Sequence, residues 1–184
     1  MEYTLIRSKR KTVSLELRED GVLVRAPLRM PKRDIDAFVK KHEGWIASHQ
    51  KKVEARKALR DATPKLTEEE MRALAKRAAD YIPLRVRLYA ERMHLTYGRI
   101  TIRFQKTRWG SCSSKKNLNF NALLMLTPPE VIDSVVVHEL CHLTEMNHSP
   151  RFYALVRAAY PDYDRWNKWL KQNGAAIMAR VDRG

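Results

Sequence analysis

His138-Glu139-Leu140-Cys141-His142 reads H-E-x-x-H and closes an apolar run, Val131-Ile132-Asp133-Ser134-Val135-Val136-Val137. On a helix, residues four apart share one face, so both imidazoles can reach a single metal ion. Glu139 follows the first histidine and points about 100° around the helix axis, beside the ion rather than behind it. A general base that takes a proton from water must stand there. The competing explanation is a surface helix that happens to carry two histidines. The motif is helical, apolar-flanked and followed by a candidate third ligand, and these features together favour the metal.

A catalytic zinc takes three protein ligands and keeps one position open, so two histidines are too few. Glu145, Asn147 and His148 follow. Glu145 falls on the metal face if the helix continues, but it would stand a full turn further along. His148 precedes Ser149-Pro150, a helix start with serine as N-cap and proline as first helical residue. The first helix is therefore expected to end near Met146, and the chain to turn at Asn147 and bring His148 beneath the metal. This reading makes His148 the third ligand and Glu145 an outer partner that holds an imidazole N–H. Without the preceding motif, His148 would read as a turn histidine in solvent.

Arg108-Trp109-Gly110-Ser111-Cys112-Ser113, Asn119-Phe120-Asn121, the H-E-x-x-H run, and Asn147-His148-Ser149 with Phe152 together resemble the YgjP-like metallopeptidase family. That family is similar to zincins and to SprT-like domains. The resemblance covers most of the chain and is strongest from about Arg103 to Tyr160. It implies zinc, one per chain, on His138, His142 and His148, with Glu139 as catalytic acid/base. It implies either a peptidase or, from an activity also attributed to the family, a nucleotide pyrophosphatase acting on UTP.

The chain has 184 residues, and 44% hydrophobic content supports a packed core rather than disorder. No apolar run is long enough to span a membrane, and Met1-Glu2-Tyr3-Thr4-Leu5-Ile6-Arg7 lacks a signal-peptide core. Two cysteines, Cys112 and Cys141, without a secretory signal point to a reducing, cytoplasmic compartment, with both thiols read as structural. The formal charge is +15. Through Gly110 there are 27 basic and 14 acidic residues, a net +13, so the positive field belongs mostly to the N-terminal part. Such a field attracts polyanions, including non-specific nucleic acid. Interspersed acids such as Asp34, Asp36, Glu43 and Glu54 favour a merely solvated basic face about equally.

The expected fold class is α+β: an N-terminal β-hairpin and helical region over 1–62, then a minimal zincin-like catalytic domain over 63–184, with a small mixed sheet and the H-E-x-x-H helix. Residues 12–17 and 22–26 read as strands joined by a turn at Asp20-Gly21. From Pro31 to about Leu59 the periodicity is helical, with a break at Gly44. Thr67 and Glu70 form a capping box that opens a long helix running to about His94, with a kink at Pro83. Residues 100–104 and 118–124 read as strands and 109–117 as a turn-rich loop. Asn117, Asn119 and Asn121 share one strand face, and an asparagine-lined edge would suit pairing with an extended peptide. A polar outer face of a half-buried strand is the plain alternative. Thr127 reads as N-cap of the metal helix, with proline at N1 and Glu130 at N3. A last helix after Pro161-Asp162 carries Trp166, Trp169 and Leu170 on a core-facing stripe.

Attack on an amide needs a donor for the oxyanion besides the metal, and Arg108, Tyr153, Tyr160 and Tyr163 are the candidates. Arg108, Asn119 and Asn121 are the candidate substrate contacts. Arg103, Lys106, Arg108, Lys115 and Lys116 flank the expected cleft, and such a cluster would equally serve a phosphoanhydride. A third possibility is a nucleic-acid-associated binding module with structural zinc. A closed site needs four protein ligands, which would leave Glu139 without a task.

Overall fold

The computed structural model describes residues 2–18 and 21–181. The chain divides into two compact units, Met1–Ala62 and Thr63–Gly184. No helix among the described residues is long and apolar enough to cross a membrane.

The first unit is a three-stranded sheet followed by two helices. Its strands are β1 (Thr4–Ser8), β2 (Ser14–Arg18) and β3 (Gly21–Pro27), in the order β1-β3-β2. β2 and β3 pair antiparallel, as alternation across 12–17 and 22–26 suggests. Asp20 of the expected turn lies outside the described residues, while Gly21 has φ +132°, a conformation glycine adopts freely. β1 is a strand that local patterning does not announce. It pairs parallel to β3, Leu5 opposite Val24, and a parallel partner so distant in sequence leaves no turn signal. α1 (Lys32–Lys41) and α2 (Glu43–Ala62) meet at His42, two residues before the expected break. Val22, Val24, Ala26, Ile35, Val39 and Ile46 form this unit's core.

The second unit carries the motif. Its first helix, α3 (Glu68–Arg92), opens with the Thr67–Glu70 capping box and continues through Pro83. A second mixed sheet follows, made of β4 (Ile100–Arg103), β5 (Gly110–Cys112) and β6 (Leu118–Asn121) in the order β4-β6-β5. Two expectations are corrected here. Residues 110–112 form a strand rather than a turn-rich loop, antiparallel to β6 with Gly110 opposite Phe120. And β6 is central, with β4 and β5 on its two sides, so it offers no free edge to a peptide. The strand also stops earlier than expected. Asn121 Oδ1 accepts from Leu123 N–H and turns the chain into a 3-10 helix, Ala122–Leu126.

α4 (Pro129–Cys141) is the motif helix. Valine and isoleucine are poor helix formers, so this sequence is helical because of where it lies. Val131, Ile132, Val135, Val136, Val137, Leu140 and Cys141 are all buried, and a helix apolar on every side belongs inside a core. Each such side chain contributes about 1.5–3 kcal/mol on burial, which outweighs propensity losses of a few tenths each. Asp133 on this helix takes a bidentate pair from Arg85 of α3, Nε to Oδ1 and Nη2 to Oδ2 both 2.6 Å, and Tyr89 O–H also donates to it. This fork fixes α4 against α3. Thr127 does not cap α4 as expected: its hydroxyl donates backwards to Leu124 O at 2.7 Å, and Pro128 takes the N-cap position.

α4 ends at Cys141 with His142 as its C-cap, a full turn before the expected Met146. α5 (Pro150–Ala159) begins as read, Ser149 Oγ accepting from Phe152 N–H. α6 (Tyr163–Met178) follows. Its Trp166, Trp169 and Leu170 are half-buried, and Leu170 packs against the core of this unit.

Candidate metal centre

His138 projects from the last turn of α4, His142 from its cap, and His148 from the loop just before α5. The early end of α4 is what lets the chain double back over so few residues. The three imidazoles each present one nitrogen, and these nitrogens lie within 4.8 Å of one another. His138 Nε2 and His148 Nε2 are 3.0 Å apart. Two imidazole nitrogens on one tetrahedral zinc, each about 2.0–2.1 Å from it, would stand roughly 3.3 Å apart. The donor set, neutral nitrogen throughout, suits zinc equally well.

Each ring is held from behind. His138 Nδ1 lies 2.9 Å from the hydroxyl of Tyr163, and His142 Nδ1 lies 3.1 Å from the backbone oxygen of Glu145. With Nε2 turned toward an ion, Nδ1–H donates to these oxygens. Glu145 therefore does hold an imidazole, but through its main-chain carbonyl, while its carboxylate lies 3.9 Å from Arg151. Phe152, fully buried, forms the floor under all three rings, with centroid distances of 4.8, 4.4 and 4.9 Å to His138, His142 and His148. Burial together with the two other imidazoles pushes the His138 pKa down to about 3, so the ring is neutral with its lone pair available. Burial likewise lowers that of His142.

Glu139 is 5% exposed, and burial raises its carboxyl to about 8 against the opposing pull of Arg108. A cation beside it reverses that balance and favours the carboxylate. Its carboxyl group rests on Gly110 of β5. A Cβ at that position would lie 2.6 Å from Glu139 Oε1 and 2.7 Å from its Cγ. Glycine is therefore required here for room, a demand set by the packing of β5 on α4 and not by any turn. The cleft itself, of about 250 Å³, is lined by Arg108, Gly110–Cys112 of β5, Met146, the three histidines and Glu139.

The remaining candidate residues separate clearly. Arg108 lines the cleft. Asn121 is fully buried and its amide donates to Gln105 O and Arg108 O, both at 2.9 Å, so it shapes the loop that carries Arg108 and is absent from the cleft lining. Asn119 accepts from Arg103 Nη2 at 2.7 Å and donates to Ser111 Oγ at 3.2 Å, and it too is away from the cleft lining. The expectation of an asparagine-lined substrate strand is thus corrected: the strand facing the metal site is β5. Tyr160 O–H donates to Glu130 O, and Tyr160 is absent from the cleft lining. Tyr153 stands beside His148 with Arg157 over its ring. Of the basic residues expected to flank the cleft, Arg103, Lys106, Lys115 and Lys116 are absent from its lining. Cys141 is buried and its thiol is pushed up to about 12, an inert structural cysteine, whereas Cys112 is half-buried and lines the cleft.

A buried H-E-x-x-H helix, three converging imidazoles and a carboxylate beside them are the parts of a metal-dependent hydrolase. The family described as YgjP-like, metallopeptidase domain, matches residues 11–74 and 58–173, and the chain belongs to that family of metal-dependent peptidases. No curated protein matches it. Among solved structures, the metallopeptidase zymogen jannalysin of Methanocaldococcus jannaschii is 22% identical, with 50% of this chain and 95% of that one covered and a TM-score of 0.45. The metallopeptidase zymogen abylysin of Pyrococcus abyssi is 15% identical, covering 50% and 93%, also at 0.45.

Proposed function

We propose that the chain is a zinc peptidase in which His138, His142 and His148 hold the metal and Glu139 is the general base. The observation that carries this is the convergence of three imidazole nitrogens beside a buried carboxylate in one open cleft. Zinc, when bound, supplies Lewis-acid activation of water and of the scissile carbonyl. The protein's own groups do the rest. Glu139 takes the proton from the attacking water at a carboxylate oxygen and returns it to the departing amine nitrogen. Gly110 holds that carboxyl against β5, and Arg108, at the wall of the same cleft, is placed to donate to the oxyanion. β5 is paired on one side only within its sheet, so its backbone is available to an extended peptide.

Peptide is favoured over phosphoanhydride because Arg108 is the one basic side chain of the expected cluster in the cleft lining. A triphosphate spreads charge over several oxygens and calls for several such donors. The test compares peptide and nucleoside-triphosphate turnover by the zinc-loaded protein, with Glu139→Gln alongside. Peptide hydrolysis that drops a hundredfold or more in Glu139→Gln, with zinc content and melting temperature retained, supports the reading. Turnover of nucleoside triphosphates alone replaces the peptidase with a pyrophosphatase.

A further inference from the structure

A second cavity, also of about 250 Å³, adjoins the metal cleft, and Arg108, Gly110, His138 and Glu139 line both. Its remaining walls are mostly apolar: Trp109, Val135, Leu170 and Tyr163. Val135 stands one turn before Glu139 on α4. Tyr163, Asn167, Leu170 and Gly174 recur at the spacing of one face of α6, so that face closes the far side. Gly174 is buried under the indole of Trp109, and a Cβ there would lie 3.0 Å from Trp109 Cζ2. The glycine thus lets the indole approach α6 closely. Ser134, at the cavity's edge, spends its hydroxyl proton on Val131 O at 2.8 Å and asks nothing of a ligand.

We propose that this cavity is the specificity pocket of the enzyme, and that it takes the aromatic or long aliphatic side chain of a residue flanking the scissile bond. The inference rests on the peptidase reading and deepens it. A carbonyl presented to Glu139 sits at the boundary between the two spaces, so the adjoining side chain has the second cavity open to it. The size fits: a dry cavity of roughly 150 Å³ already accommodates benzene. The chemistry fits as well. The charged groups of the lining, Arg108 and Glu139, stand where it joins the metal cleft, and a charged side chain reaching past them would lose its hydration against Trp109, Val135 and Leu170.

The test uses zinc-loaded full-length protein on a random-sequence peptide mixture with blocked termini, cleavage sites being read by mass spectrometry. Wild type is expected to cut beside Phe, Leu, Ile or Met about a hundredfold more efficiently than beside Ala or Ser, the discrimination that a few methylenes give in an apolar pocket. Leu170→Trp fills the cavity from the α6 side and should lower that ratio at least tenfold. Leu170→Ala enlarges it and should shift preference toward the largest aromatics, which keeps the question open to decision if the tryptophan variant misfolds. Peptide cleavage with no apolar preference, or a preference that both Leu170 variants leave unaltered, overturns the pocket and leaves the peptidase standing. Hydrolysis of nucleoside triphosphates with no peptide cut overturns the peptidase reading and the pocket with it.

Discussion

Replacing Gly110 by alanine tests the link between β5 and the base. The new Cβ would fall 2.6, 2.7 and 2.9 Å from Oε1, Cγ and Cδ of Glu139, where ordinary contact begins at 3.4 Å. The backbone there needs no positive φ, since Gly21 alone among the described glycines has one, so the conflict is one of space only. The Glu139 side chain is buried and must give way by about 0.8 Å, or β5 must. Overpacking of this kind costs about 1–3 kcal/mol of stability. A displacement near 1 Å at a reacting group costs on the order of a hundredfold in rate. Gly110→Ala is therefore expected to keep its zinc, melt somewhat lower and lose about a hundredfold in kcat/KM on peptide. Combined with Glu139→Gln it should add little, because both changes disable the same proton transfer. Turnover within a few-fold of wild type, with metal bound, would refute the claim that Gly110 positions the base.

Tyr163→Phe removes the oxygen behind His138 and should weaken zinc binding about 10–100-fold in chelator competition, the usual worth of such an outer partner; unchanged affinity would reduce Tyr163 to a packing residue. His148→Ala should strip the metal, whereas Glu145→Ala should retain it, because only the Glu145 main-chain oxygen touches the site; elemental analysis of the two proteins decides this. The basic N-terminal residues should bind nucleic acid without sequence preference, and titrations at rising salt should show affinity falling steeply, because releasing counterions into more concentrated salt gains less free energy; salt-independent binding would contradict an electrostatic origin.

Local chemistry made much of the chain legible from its residues. The i, i+4 spacing places His138 and His142 on one helix face wherever that helix lies. Thr67 with Glu70, and Ser149 with Pro150, are capping signals read within four residues, and both helices start where those signals stand. The place of His148 just before α5 follows from the same local start signal, whereas the early end of α4 that lets the chain double back does not. The α+β class, with a small mixed sheet and the motif helix, follows from alternation and helical periodicity in successive segments.

What the tertiary structure alone decided are the contacts between distant segments. Tyr163 meets His138 across 25 residues. Gly110 meets Glu139, and Trp109 meets Gly174, because β5 and α6 both lie against α4. β1 finds β3 in parallel, and β6 becomes central because β5, only three residues long, pairs beside it. The Asn121 amide turns inward to two main-chain carbonyls, while Glu145 offers the site its own carbonyl in place of its carboxylate. The physical reason is common to all of these. Periodicity and capping are set by neighbours along the chain, but which face of a polar residue is used, and which glycine must stay bare, is set by packing among segments that only folding brings together.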